Sequence, residues 1–169
     1  MNRISDMLKN TQGNFIVRAA VGLLCAALLF SAGLSIFHVY HVFGRVRETI
    51  NESVLAVAAA NVAEFYGGSR ESDGYARHPY NGGFAHNITS NVVDTLARSV
   101  GATDTGHDGT ITVGESYTIT NISTQYVNSV GSILNFTTTV TVVVPLEPGG
   151  VEIPITKTME VRSSYDTKF

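Results

Sequence analysis

Hydrophobic residues follow three different patterns along the chain, and the first is an unbroken apolar run. Every one of the 19 residues from Ala19 to Phe37 is apolar or small, and a helix needs roughly 20 such residues to cross the hydrocarbon core of a bilayer. No charged side chain occurs between Ala19 and Gly44. We therefore predict a transmembrane helix over 19–44, preceded by a basic cytoplasmic leader over 1–18.

A cleaved signal peptide is the competing interpretation of this run. A basic start, an apolar stretch and small residues such as Ser31 and Gly33 are shared by both kinds of segment. The apolar character continues past Gly33 to Phe43, however, which is longer than a signal peptide requires. The length favours a retained anchor.

The second pattern is a three-or-four spacing of apolar residues, which predicts that the membrane helix continues as an amphipathic helix to Tyr66. Gly67 and Gly68 are predicted to end this helix. A polar, Gly-rich loop and a second helix from Thr89 to Val100 complete the segment 45–100. The apolar positions are Val46, Ile50, Val54, Val57, Ala58, Val62 and Phe65.

We expect the membrane-proximal part of this stripe to pack against another subunit. The chain's own sheet is expected to cover the distal part, near Val62 and Phe65. Val46 and Ile50 lie closer to the membrane, so Ile50 is predicted as a residue of the helix-packing surface.

The third pattern, over 101–169, is the alternation of apolar and polar residues that is typical of strands. Leu134 to Val144 alternates, Pro148 to Gly150 forms a turn, and alternation resumes from Val151 to Val161. This predicts a hairpin, with Pro154 at a sheet edge because proline cannot donate to a ladder. A shorter pair, Ile111–Val113 and Tyr117–Ile119, is broken near Gly114.

These patterns together predict the fold class. It is α+β, with an N-terminal transmembrane helix extended into an amphipathic helix and then a small antiparallel β-sheet head that ends in a hairpin.

Charge indicates how the chain is oriented in a membrane. The 169 residues include 11 basic and 14 acidic ones, of which three basic and one acidic precede Arg45. Three basic residues before the apolar run against Arg45 and Arg47 after it favour a cytoplasmic N-terminus by one charge. The distal part is mildly acidic and has no basic stripe, which excludes a nucleic-acid binder.

No catalytic pattern occurs in the sequence, so we do not expect an enzyme. The only cysteine, Cys25, lies in the apolar run, which leaves no intrachain disulfide. Asp104, Asp108 and Glu115 occupy positions 1, 5 and 12 of a calcium-loop spacing, but position 3 is glycine. A polar turn leading into a strand is favoured, with Ca²⁺ as the weaker alternative and no other cofactor expected.

Four Asn-x-Ser/Thr triplets are candidate glycosylation sites, which a Thr-rich and Asn-rich chain also produces by chance. They begin at Asn51, Asn87, Asn121 and Asn135.

Small residues in the apolar run recur every four positions. Ala27, Ser31 and Ser35 form one series and Gly22 with Ala26 another. Such spacing lets neighbouring membrane helices approach closely, although small residues are common in membrane helices in general. We predict these residues as helix-packing sites.

The order of segments resembles type IV pilin-like proteins. It is closest to TadE-like minor pilins of tight-adherence systems and to pilin-like proteins of Gram-positive conjugative elements. The segments that carry the resemblance are GNFIVRAAV, Gly13 to Val21, and the closing hairpin from Thr139 to Ser163. The resemblance implies processing after Gly13, with Asn14 as the first mature residue and a Glu at the fifth mature position. Arg18 occupies that position here, so we expect the leader to be retained or only partly removed.

The resemblance implies a structural subunit whose partners are copies of itself or related pilin-like subunits, together with the membrane. Its location would be the cell membrane, single-pass with the N-terminus inside, or an extracellular surface filament. The alternative is a monomeric, membrane-tethered binding module, calcium-dependent in one version, that uses its Gly- and Tyr-rich loop from Tyr66 to Phe84.

Overall fold

The computed structural model describes residues 11–71, 82–106, 108–130, 132–146 and 152–167. Two helices precede five strands in the described part of the chain. The helices are α1, Thr11–Glu71, and α2, Gly82–Val100; the strands are β1, Asp104–Thr105, β2, Ile111–Val113, β3, Tyr117–Val130, β4, Ile133–Leu146, and β5, Ile153–Asp166. A long N-terminal helix followed by a small antiparallel sheet is the predicted α+β layout.

Both helices run beyond their predicted ends. α1 passes through Gly67 and Gly68 to Glu71. A glycine inside a helix costs about 1 kcal/mol but keeps its backbone hydrogen-bond donor, so two glycines do not have to end the helix. α2 begins at Gly82 rather than at Thr89. Thr89 lies within α2, and its hydroxyl bonds to the backbone of Thr124 in β3.

The sheet is an antiparallel meander in the order β1-β2-β3-β4-β5. The predicted hairpin is confirmed, since β4 and β5 pair without interruption from Ile133↔Asp166 to Leu146↔Ile153. The shorter pair, β2 with β3, is also present. Pro154 lies in the edge strand β5, as expected. The predicted turn residues, Pro148 to Gly150, and Val151, where the second strand was predicted to begin, lie outside the described residues.

The sequence patterns missed the second half of β3. Beyond Ile119 the strand continues to Val130 through a mostly polar stretch, and its pairing with β4 shifts register between Thr120 and Ser123 and again between Tyr126 and Asn128. Asn121 has a φ of 52° at the first shift, a conformation that asparagine tolerates better than most residues. Each shift changes which residues face inward, and this removes the strict alternation that a sequence pattern needs.

The two helices cover one face of the sheet. α1 packs against β4 and β5, while α2 packs against β2, β3 and α1. Alternate residues of β4 point into this layer, including Phe136, Val140 and Val142, which are fully buried. The opposite face carries a series of threonines and is open to solvent: Thr137, Thr139 and Thr141 on β4 and Thr156 and Thr158 on β5.

The membrane-proximal stripe of α1 belongs to this core. Val46 is 1% exposed, and Ile50 and Val54 are 0% exposed. The expectation that Ile50 is left for a neighbouring subunit is therefore wrong. The sheet is long enough to cover α1 from Val39 onward, because β4 and β5 are 14-residue strands rather than the shorter ones that the patterns indicated.

Candidate functional site

The N-terminal half of α1 makes almost no contact with the rest of the chain. Every side chain from Phe15 to His38 is exposed except Ser35, which is half-buried. We call residues 15–38 the free half of α1. An 18-residue window in this helix has a mean hydropathy of 2.3 and none of it is buried. By length and composition the free half could span a membrane.

The free half carries both predicted series of small residues. Gly22, Ala26, Ala27 and Ser31 are exposed, and the Ser35 hydroxyl donates to the backbone oxygen of Ser31 at 3.0 Å. That bond satisfies the Ser35 hydroxyl within its own helix. The side chains of both series are exposed and available to another helix, except Ser35, which is half-buried.

Three glycines of α1 share one face, which the four-residue spacing of small residues did not reveal. Gly22, Gly33 and Gly44 are spaced eleven residues apart, which is about three helical turns, so they lie almost in line with Ala26 between the first two. A Cβ atom built at any of the three would meet nothing within 4 Å. The eleven-residue spacing is visible in the sequence and was the signal available for finding this face.

The described part of the fold gives no reason for these glycines. Each costs roughly 0.5–1 kcal/mol relative to alanine inside a helix, and no neighbouring atom of the described residues needs the space. Glycine in a membrane helix lets a second backbone approach closely. We call residues 22, 26, 33 and 44 the glycine face.

The two series differ in how the head limits access to them. Ser35 and Val39 are one turn apart on the same side of α1, and Val39 is buried by the head. The serine series is therefore fully exposed only at Ala27 and Ser31. The glycine face stays exposed to Gly44, so it is accessible over its whole length.

The end of the head that adjoins the free half of α1 carries basic and aromatic side chains together with Glu160. The Lys157 ammonium lies 5.1 Å from the centre of the Phe43 ring, within range of a cation–π contact. Tyr40, Gly44 and Arg47 line the same groove between α1 and β5. Desolvation by burial raises the pKa of Tyr117, and the charge of Arg45 acts in the opposite direction.

The calcium-loop residues are spread over three segments. Asp104 lies in β1, Asp108 in the turn before β2, and Glu115 in the turn between β2 and β3. The Asp108 carboxylate accepts hydrogen bonds from the Thr110 hydroxyl at 2.9 Å and the Thr110 amide at 3.1 Å, and these bonds lower the pKa of Asp108. Within the described ranges, no three His, Cys, Asp or Glu residues are placed to hold a metal ion.

The glycosylation candidates occupy different environments. Asn87 and Asn121 are exposed, and Asn51 is half-buried on α1. The Asn135 amide donates to the Asn128 side-chain oxygen at 2.9 Å, and its own oxygen accepts from the Ser164 hydroxyl at 2.8 Å. These bonds join three strands on the solvent face of the sheet.

The processing candidates lie at the start of α1. The backbones of Gly13 and Asn14 are helical, and Arg18 is exposed on the following turn. Residues 1–10 of the leader lie outside the described residues.

No protein-family model, curated protein or solved structure matches this chain.

Proposed function

We propose that this chain is a structural, pilin-like subunit of a surface filament, pilus, or secretion or conjugation apparatus. It enters the assembly through its hydrophobic N-terminal helix, and its partners are copies of itself or related subunits. The observation that carries the proposal is the free half of α1: an apolar helix whose side chains the head leaves uncovered.

The rigid connection between anchor and head supports a structural role. α1 is one helix from Thr11 to Glu71, and its second half is part of the core of the head. A helix of this length transmits the position of its apolar half directly to the head. Packing the free halves of several copies side by side would arrange their heads in a regular array around them.

The glycine face supplies a surface for this packing. No described atom closes the space beside its glycines. They lie on a side of α1 that the head does not cover, and two helices can approach closely there. The serine series at Ala27 and Ser31 provides a second, shorter surface. Two such surfaces on different sides of one helix allow each copy to contact more than one neighbour.

Three consecutive residues test the proposal at one depth in the membrane. Gly33→Leu adds bulk to the glycine face, Ser31→Leu adds it to the serine series, and Ala32→Leu adds it about 100° from each. We expect cross-linked oligomers of the full chain in membranes to fall for Gly33→Leu and Ser31→Leu and to stay unchanged for Ala32→Leu.

Folding of the head is followed in parallel by near-ultraviolet circular dichroism of its tyrosines. Leucine has a higher helix propensity than glycine, so loss of oligomers in Gly33→Leu would not reflect a weaker helix. If Gly33→Leu and Ser31→Leu both retained the oligomer yield of Ala32→Leu, the helix-packing proposal would be refuted. A monomeric, membrane-tethered binding module would then be the better account.

A further inference from the structure

We infer that the groove between α1 and β5 receives α1 of a second copy of this chain, with Glu48 of the second copy facing Arg47 and Lys157. The two copies form a parallel, two-fold pair in which each α1 lies in the groove of the other. The inference rests on the proposed assembly through α1 and adds to it the arrangement of one contact.

The groove follows the open edge of the sheet. β5 is the last strand of the sheet, and two adjoining depressions between β5 and α1 share Gly44 and Arg47. Together they extend over residues 40–51 of α1, about 17 Å of helix, and over residues 157–162 of β5. We call this continuous surface the β5 groove. Its length and direction suit a helix that lies alongside α1.

The β5 groove continues the glycine face toward the head. Gly44 is the last member of that face and lines both parts of the groove. Copies inserted in one membrane have their helices at the same depth, because each apolar half must lie in the hydrocarbon. α1 is one helix to Glu71. A second α1 that packs on the glycine face therefore enters the groove at Gly44 without changing direction.

Opposite charges lie on the two sides of Gly44. Arg47 is about 60° from Gly44 on the side of β5, and Glu48 is about 40° away on the other side. Both are exposed, as is Lys157 on β5. The Lys157 ammonium is level with the Phe43 ring. One side of the contact line is thus basic, and the other is acidic.

The charges of Arg47, Glu48 and Lys157 are available to a partner. Among the described residues the one ion pair joins Glu160 to Arg162 at 2.8 Å. The remaining cation of this part of α1, Arg45, is about 100° from Gly44, and its charge acts on Tyr117 of the sheet.

A parallel, two-fold pair brings the basic and acidic sides together. In such a pair, one side of each helix faces the opposite side of the other, as the e and g positions of a parallel coiled coil do. With Gly44 at the contact, Glu48 of the second copy faces Arg47. Helix side chains tilt toward the N-terminus, which brings the Glu48 carboxylate toward the level of Lys157. The symmetry repeats this contact, so the pair contains two clusters of opposite charge.

The mixture of charges favours a second copy over a lipid surface. Anionic headgroups attract Arg47 and Lys157, but they repel Glu48 and Glu52, which are exposed on the other side of Gly44. A surface that carries both signs on opposite sides complements itself in a two-fold pair. Ala27 and Ser31 lie about 100° and 140° from Gly44, so the pair leaves the serine series open to a further copy.

Single cysteines in the full chain test this arrangement. Gly44→Cys places a thiol at the contact, and Arg45→Cys places one at the same level but about 100° away. Both variants carry Cys25→Ser and are reconstituted into vesicles of zwitterionic lipid. Only a two-fold contact brings residue 44 of each copy within the roughly 7 Å between Cα atoms that a disulfide can bridge. We expect a mild oxidant to link Gly44→Cys into dimers and to leave Arg45→Cys monomeric.

Charge exchange tests the role of the groove in the Gly44→Cys, Cys25→Ser chain. Glu48→Lys should lower the dimer yield roughly threefold, because the new ammonium faces Arg47 and Lys157 of the second copy. Adding Lys157→Glu should restore much of the yield. Asp94→Lys is the matched control: it changes the net charge equally at an exposed position of α2 outside the groove, and it should leave the yield unchanged. Near-ultraviolet circular dichroism checks that each head is folded.

Equal dimer yields from Gly44→Cys and Arg45→Cys, or equal effects of Glu48→Lys and Asp94→Lys, would overturn the inference. A disulfide at 44 that formed only in anionic vesicles would also overturn it, since headgroups would then occupy the groove. If the unsubstituted chain gave cross-linked oligomers while Gly44→Cys gave no disulfide, the two-fold contact would be wrong and the proposed function would stand. Loss of both would overturn the proposed function as well.

Discussion

The hydrogen bond between Thr124 and Thr138 gives a quantitative test that one face of the sheet is buried under the helices while the other is open to solvent. Their hydroxyl oxygens are 3.0 Å apart, and the residues are 4% and 0% exposed. Replacing Thr138 with valine keeps the shape of the side chain but leaves the Thr124 hydroxyl buried without this partner. The expected loss in the free energy of unfolding is about 1–3 kcal/mol.

The double substitution separates the hydrogen bond from other effects. With both residues replaced by valine no hydroxyl is left unsatisfied, so the cost should fall to within about 1 kcal/mol of zero. If Thr124→Val costs a similar amount to Thr138→Val, the coupling energy, which is the sum of the two single costs minus the cost of the double substitution, should be at least about 1 kcal/mol. The backbone of Thr124 keeps its bonds to the Thr89 hydroxyl in every variant.

The solvent face of the same sheet offers a matched control pair. The hydroxyls of Thr141 and Thr158 are 3.1 Å apart on β4 and β5, but water can reach them. Thr141→Val should cost less than about 0.5 kcal/mol. Denaturant unfolding of the full chain in mild detergent, followed by tyrosine fluorescence, measures all the variants. A Thr138→Val cost no larger than that of Thr141→Val would refute the packing of both helices on one face.

Three further predictions concern single residues of the head. At Asn121, where φ is 52°, glycine should be tolerated and valine should destabilise the head by about 1–2 kcal/mol, seen as a lower denaturant midpoint. Among the described residues the buried Ser163 hydroxyl has no hydrogen-bond partner, so Ser163→Ala should leave the melting temperature unchanged or raise it. Hydrogen bonds from Thr110 lower the pKa of Asp108 below its ordinary 3.8. The stability that the ionised carboxylate adds is therefore fully present at pH values above this ordinary pKa, and it is lost as the pH falls through the lowered pKa of the folded state. Thr110→Val should raise the Asp108 pKa in a carboxyl NMR titration, and an unchanged value would contradict this.

Local patterns were sufficient to predict the elements with strong periodicity. The apolar run predicted the free half of α1, and strict alternation predicted β4 and β5, because a strand with one covered face places a hydrophobic residue at every second position. The three-or-four spacing predicted the apolar stripe of α1, although it did not show what covers the part near Ile50. In each case the side chains on one face of the helix or strand all have the same environment.

Prediction failed where the pairing or packing depends on distant parts of the chain. The second half of β3 contains two register shifts. Thr124 points inward there, and its hydroxyl is hydrogen-bonded to the hydroxyl of Thr138 on β4. Ile50 was assigned to another subunit because the stripe alone does not show how far a sheet extends. The length of β5 decides this, and that length became clear only from its pairing with β4.

The candidate packing surface was predicted in part. Gly22, Ala26, Ala27 and Ser31 followed from four-residue spacing, and all are exposed. To recognise Gly33 and Gly44 as part of this surface, one must know that the helix is continuous and that the head lies on another side of it. Only the fold shows both. Ser35, also predicted as a helix-packing residue, is half-buried one turn before the buried Val39.

Electron microscopy of membranes and surface material from cells that make this chain tests the central claim most directly. The account predicts filaments in which the free halves of α1, residues 15–38, form the interior and the sheets form the outer surface, with Gly33→Leu reducing their number more than Ala32→Leu. Abundant, folded and membrane-inserted protein that remains monomeric, with no filament or larger assembly, would contradict it.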